Sequence, residues 1–194
     1  MLVQNGRTGV ELLQSEMTMK TSAELEQQAA LQVASLMATA ARTAPKTRGI
    51  DNIRVIGIED PATKDRLVSK MRELAKSEDR PWFERDATCV ENSLAVLLVG
   101  VAANPASLNC GYCGHGTCEE MGKTNGICSF NSIDLGIAAS SAVSVAADSR
   151  VDTRIMFSVG HAGVAMGLFQ SGIKQALGIP LSITGKSPFF DRKP

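Results

Sequence analysis

Cys110, Cys113, Cys118 and Cys128 fall within nineteen residues as C-x2-C-x4-C-x9-C, in a run that begins Asn-Cys-Gly-Tyr-Cys-Gly-His-Gly-Thr-Cys. Four thiolates on a short loop can converge on one soft metal centre. Gly111, Gly114 and Gly116 let the backbone turn tightly and aim N–H groups at sulfur. This donor set predicts a 4Fe-4S cluster, with Cys110, Cys113 and Cys118 as the compact ligands and Cys128 as the distant one, at the mouth of a following helix. The positive end of that helix favours the net negative charge of a thiolate-ligated cluster. A structural zinc is one alternative, although four-cysteine zinc ribbons commonly use two C-x2-C knuckles and only one is present. A 2Fe-2S centre or a set of redox-active thiols is another. His115, flanked by glycines, reads as a loop residue or a hydrogen-bond donor to the cluster rather than a ligand. Cys89 stands apart in DATCVENS and reads as a small buried apolar residue.

The elements that must position this loop follow from periodicity. Residues 1–19 show none and are expected to form a flexible N-terminal arm, with Met17 and Met19 as alternative starts. Thr21 and Glu24 form a capping box, and Leu25, Ala29, Val33, Leu36, Met37 and Ala40 recur at helical spacing. A helix over 22–43 follows, stopped by Pro45. IRVIGI at 53–58 alternates as a half-buried strand does. Asp60-Pro61 is an N-cap followed by proline at the first helical position, and it opens a second helix with Leu67, Met71 and Leu74 inward. The unbroken apolar run 94–101 predicts a central strand covered on both faces. After the cysteine loop at 109–128, the small-residue segment 132–147 predicts a closely packed helix. RIMFSV at 154–159 reads as a strand, 162–169 as a short helix and 179–184 as a last strand. The expected class is therefore a single α+β domain over 20–194, three layers with a mixed or antiparallel sheet flanked by helices and the cluster loop inserted.

Lys plus Arg and Asp plus Glu number 20 each, so no net field favours nucleic acid or an anionic membrane. No apolar run is long enough to suggest a membrane span, and the N-terminus lacks a basic region followed by an apolar one. Five cysteines, four of them bunched, fit a reducing compartment, and a cytoplasmic protein is expected. With only His115 and His161 present, a serine-histidine-aspartate system or a multi-histidine metal site has little to build with. His161, after the expected strand at 154–159, is a loop candidate for substrate contact, and GHAGVAMG at 160–167 fits the close packing of a short helix better than a nucleotide loop. Asp134 reads as a charge in the first turn of the cluster helix.

The loop CGYCGHGTC resembles the 4Fe-4S domain of corrinoid iron-sulfur proteins and several electron-transfer subunits. Over about 20–194 the chain resembles the uncharacterised ferredoxin-domain family, through AARTAPKTRGIDNI at 40–53, the cysteine loop and IDLGIAASSAV at 133–143. A weaker similarity, carried by ARTAPK at 41–46 and IDLGIAASSAVSVAA, is to flavin-dependent nitroreductases. These resemblances imply an iron-sulfur protein with an electron-transfer or redox role, or alternatively an iron-sulfur flavoenzyme with FMN beside the cluster. Arg42, Thr43, Lys46 and Arg192 would then contact the flavin, in a pocket between the ARTAPK loop and the cluster helix; otherwise Arg42 and Lys46 are solvated helix-end charges. The implied partners are a redox protein or a small-molecule electron acceptor. A homodimer is implied too, with Phe189 and Phe190 anchored on the second copy.

Overall fold

The computed structural model describes residues 19–169 and 172–189. The expected arm thus lies outside the described residues up to residue 18, as do Phe190 and Arg192. Helix α1 (Ser22–Thr43) begins at the predicted capping box, in which the Glu24 N–H donates to Thr21 Oγ1 and the Thr21 N–H donates back to Glu24. A short 3-10 turn at Thr47–Gly49 leads into β1 (Ile53–Ile58), followed by α2 (Pro61–Ser77), where Asp60 Oδ1 accepts from the Thr63 N–H at 2.7 Å. Next comes α3 (Trp82–Glu91), which the sequence reading did not separate from the strand after it. The chain continues as β2 (Ala95–Ala102), a short α4 (Cys118–Gly122), α5 (Ser129–Asp148), β3 (Asp152–Thr153), α6 (Phe157–Ala165) and β4 (Ile173–Ser182).

The sheet is wholly antiparallel in the order β1-β2-β4-β3. Strand β2 lies inside it, and its side chains divide the core in two. Leu97, Val99 and Val101 face α1 and α5, where they meet Met37, Ala41, Leu135, Ala138 and Ala142. Val96 and Leu98 face the other layer and pack with Leu67, Met71, Phe83, Val90 and Val159 of α2, α3 and α6. The three-layer α+β reading of the sequence therefore holds, with the sheet antiparallel. Although α5 is long and apolar enough to cross a membrane by length and composition, Leu135, Ala138, Ala139, Ala142 and Ala146 are buried against α1 and the sheet, as in the core helix of a globular domain.

One predicted strand is corrected. RIMFSV does not continue as a strand beyond a single bridge between Met156 and Gly178, and α6 starts at Phe157. The reason lies in the next residues: a Cβ on Gly160 would fall 2.0 Å from the Ala176 carbonyl oxygen, so this helix sits against β4 where only glycine fits. The apolar run was thus the buried face of a helix start, a confusion that periodicity cannot resolve in six residues. His161 consequently lies on α6, not in a loop, and its Nε2 is 3.1 Å from Glu78 Oε1.

Candidate functional site

All four loop cysteines line one small cavity, together with Leu108, His115, Met121 and Phe130. The loop leaves β2 at Ala102 and returns to the domain at α5, so both of its ends are fixed by the core. Cys128 is the N-cap residue of α5 and is buried; its side chain makes no capping hydrogen bond, which leaves the thiol free to face the cavity. Cys118 opens α4, whose capping box pairs Thr117 with Glu120. The signal for that turn, Thr-x-x-Glu across Cys118, was in the sequence and was missed.

Local hydrogen bonds shape the loop around sulfur. The Asn109 N–H donates to Cys118 Sγ at 3.4 Å, and Asn109 Oδ1 accepts from the Cys118 N–H at 2.8 Å, so one asparagine grips both ends of that cysteine. Gly111 and Gly114 take φ of 73° and 83°, left-handed values that a side chain would strain, and these turns carry the chain through Cys110 and Cys113. Ser129 Oγ donates to the Tyr112 carbonyl at 2.9 Å, and the Tyr112 and Phe130 rings stack at 5.7 Å, which ties the loop to the start of α5. Ala106, Met121 and Cys128 form a small buried apolar cluster of their own, with Cys113 and Phe130 against it. Cys110 is exposed, Cys113 and Cys118 are half-buried. His115 lines the same cavity, with its Nε2 against Gly126.

Among the described residues no three His, Cys, Asp or Glu side chains converge closely enough to hold a single metal ion. Four thiols around one apolar hollow, with the Asn109 N–H donated to Cys118, are the donor type that iron-sulfur clusters take. Cys89 takes no part: it is buried on α3, and desolvation, aided by the nearby Asp86 carboxylate, pushes its thiol up from the ordinary range.

The ARTAPK segment is built differently. Arg42 pairs with Asp51 at 2.5 Å and also donates to the Ile53 carbonyl. Thr43 Oγ1 donates to the Thr39 carbonyl at 3.0 Å, and Lys46 Nζ to the carbonyls of Arg42 and Ala44 at 2.5 and 2.9 Å. Where a pocket was expected between this loop and α5, Asp134 lies buried and accepts from both the N–H and the hydroxyl of Thr47, at 3.0 and 2.9 Å. Asp134 is in the second turn of α5, so its role is to hold this junction rather than to act as a first-turn charge. Ala138 and Ala139 are completely buried in the core beside α1. Arg48, with a left-handed φ of 57°, reaches across to donate to the Ala106 carbonyl at 2.9 Å and so joins the two loops.

Comparisons with known proteins bear on the family and on the fold. A family described as uncharacterized protein containing a ferredoxin domain (DUF2148) matches residues 124–192. An uncharacterized protein of Archaeoglobus fulgidus is 40% identical over 170 residues, covering 83% of this chain and 90% of its own. Among solved structures, a nitroreductase with bound FMN from Desulfitobacterium hafniense superposes with a TM-score of 0.57 at 15% identity, over 88% of this chain and 81% of that one. A nitroreductase with bound FMN from Bacteroides fragilis gives 0.57 at 10% identity, over 84% and 82%. A BluB-like flavoprotein from Clostridium difficile gives 0.54 at 15%, over 84% and 85%. At these identities the likeness is one of fold.

Proposed function

We propose that this chain, which belongs to the family of uncharacterised proteins containing a ferredoxin domain, binds one 4Fe-4S cluster through Cys110, Cys113, Cys118 and Cys128 and serves in electron transfer. The observation that carries the reading is that these four cysteines, alone of the five, line one cavity. When bound, such a cluster supplies a one-electron carrier whose potential is set by burial and by hydrogen bonds to sulfur. The residues here have defined parts in that. Asn109 donates its N–H to Cys118, Met121 and Phe130 keep water from the inner side, and Cys128 at the N-terminus of a twenty-residue helix places negative charge where the helix dipole favours it. The exposed Cys110 side is the edge at which a redox protein or a small-molecule acceptor would approach.

Support for a homodimer comes from the outer face of α5, where Ile133 and Ile137 are exposed and no charged residue occurs between Asp134 and Asp148. A cytoplasmic setting fits the bunched, unpaired cysteines.

The second reading is an iron-sulfur flavoenzyme, favoured by the fold shared with FMN-bound nitroreductases. Arg42, Thr43, Lys46 and Arg192 would contact the flavin; Arg192 lies outside the described residues, and the other three would first have to leave the partners they have. Quantifying iron, acid-labile sulfide, zinc and flavin after anaerobic purification tests both readings. Four iron and four sulfide per chain without flavin is the expected result. Stoichiometric zinc without iron overturns the cluster, and stoichiometric FMN establishes the second reading.

A further inference from the structure

A second cavity, of about 230 Å³ and open on one side, lies between α5, α6 and the start of β4. It exists because β4 is longer than the strand beside it: β3 pairs only with Leu181 and Ser182, and the isolated bridge from Met156 reaches Gly178. Among the described residues no strand pairs with that edge before Gly178, and Lys174, Gln175, Ala176 and Leu177 line the opening.

Its walls are of two kinds and both are held in place. The apolar side presents Leu135, Val164 and the half-exposed Phe157. Phe157 and His161 both stand edge-on to the fully buried Phe83 ring, at 5.5 and 5.9 Å between centroids, which rests both rings on the core. The polar side presents donors. Lys174 Nζ donates to Asn125 Oδ1 at 2.8 Å and has no carboxylate partner among the described residues. Gln175 Oε1 accepts from Ser132 Oγ at 2.8 Å, which fixes the amide and leaves its NH₂ group available. The neighbouring carboxylate, Glu78, is already engaged: the hydrogen bond from His161, with the charges of His161 and Arg80 next, holds it below the usual carboxylate range.

We infer that this cavity is a binding site for a small planar carboxylate, its ring laid along Phe157 and His161 and its charge met by Lys174 and the Gln175 amide. An apolar pocket with a few polar groups is the usual form of such a site, and here the side-chain groups with bonding capacity to spare, the Lys174 ammonium and the Gln175 NH₂, are donors. The site stands on its own geometry, whether or not a cluster is bound. Its position gives it a link to the cysteine loop all the same, because Asn125 lies three residues before Cys128 and Ser132 four after.

The test uses the anaerobically purified protein as isolated and 4-fluorobenzoate as the probe, followed by fluorine NMR, with 4-fluorobenzylamine as the charge-reversed control. The carboxylate should bind and the amine should not. Lys174→Met should weaken binding roughly tenfold, the size of one charge-assisted hydrogen bond; Lys76→Met, on the exposed side of α2, should leave it unchanged. Phe157→Leu, which keeps an apolar wall without the flat ring, should weaken it by a smaller factor. Equal binding of acid and amine, or an unaltered affinity in Lys174→Met, overturns the proposal. Carboxylate binding that weakens as protein concentration rises would mean that a second copy fills the groove, and would overturn it too. Iron content measured on the same samples reports separately on the cluster, so failure of one reading is not mistaken for failure of the other.

Discussion

The segment between α1 and β1 and the segment between β2 and α5 leave the same end of the sheet, since Ile53 and Val101 are paired across β1 and β2. Both carry residues able to do chemistry, Lys46, Thr47 and Arg48 in one, with Arg42 at the adjoining end of α1, and four thiols and a histidine in the other. In the first, those groups are used by the chain itself: Arg42 on Asp51 and the Ile53 carbonyl, Lys46 on two helix-end carbonyls, Thr47 on the buried Asp134. In the second, four sulfur atoms line a cavity and only Cys118 receives a hydrogen bond from the loop. Residue type nominates a site, but unused bonding capacity around a space is what distinguishes one. The ARTAPK junction acts as a structural clamp, and through Arg48 and Ala106 it steadies the cysteine loop.

The largest expected effect breaks the comparison at the cysteines. Serine at any one of Cys110, Cys113, Cys118 or Cys128 should remove or convert the bound cluster, seen as loss of iron and sulfide together, whereas Cys89→Ala should keep full iron. Alkylation of metal-free protein near neutral pH sharpens the contrast. Exposed Cys110 should react first and Cys89 last, because burial both shields that thiol and keeps it protonated. Iron retained in all four serine variants would show that the cavity is not the metal site.

Much of this arrangement was legible before any coordinates. The Thr21–Glu24 box, Pro45 and the Asp60-Pro61 pair fix helix ends through local chemistry, and the bounds of α1 and β1 are those that the sequence predicted. The central strand was readable because an eight-residue apolar run has no exposed face to alternate with. The start of α6 was not, since Met156, Phe157 and Val159 satisfy either period and the deciding contact, Gly160 on the Ala176 carbonyl, is sixteen residues away in sequence. The cysteine spacing named the candidate ligands, but it could not show that Arg42 and Lys46 would be occupied elsewhere. That depends on Asp51 and on carbonyl groups whose directions are set only by the folded backbone.

A middle-sized effect tests the clamp. Asp134→Ala removes the carboxylate that accepts from the Thr47 N–H and hydroxyl and leaves both half-buried donors without their partner. The expected cost is about 1–2 kcal/mol in urea unfolding. Asp134→Asn, which keeps one acceptor oxygen, should recover a substantial part of it. Because Thr47 is followed directly by Arg48, the alanine variant should also lower iron occupancy or speed iron loss without removing the cluster outright. An alanine variant as stable as the wild type would mean that the junction is no clamp, and the comparison between the two segments would lose its structural half.

The smallest effect is the one that separates the two functional readings at a single residue. Arg42→Ala removes an ion pair whose partners are both nearly half exposed, at 43% and 45%, so solvent screening and side-chain entropy leave it worth at most about 1 kcal/mol. Part of even that loss should vanish in high salt, because the Asp51 pairing is screened while the hydrogen bond to the Ile53 carbonyl is less so. Iron and sulfide content should not change. If Arg42 is only a helix-end clamp, FMN titrated into wild type and variant should behave alike, with no saturable uptake by either. If the chain is an iron-sulfur flavoenzyme, wild type should take up flavin in proportion to protein and Arg42→Ala should weaken that uptake while its iron stays constant. A cation with two intramolecular partners can serve a ligand only by giving them up, and this titration measures whether it does.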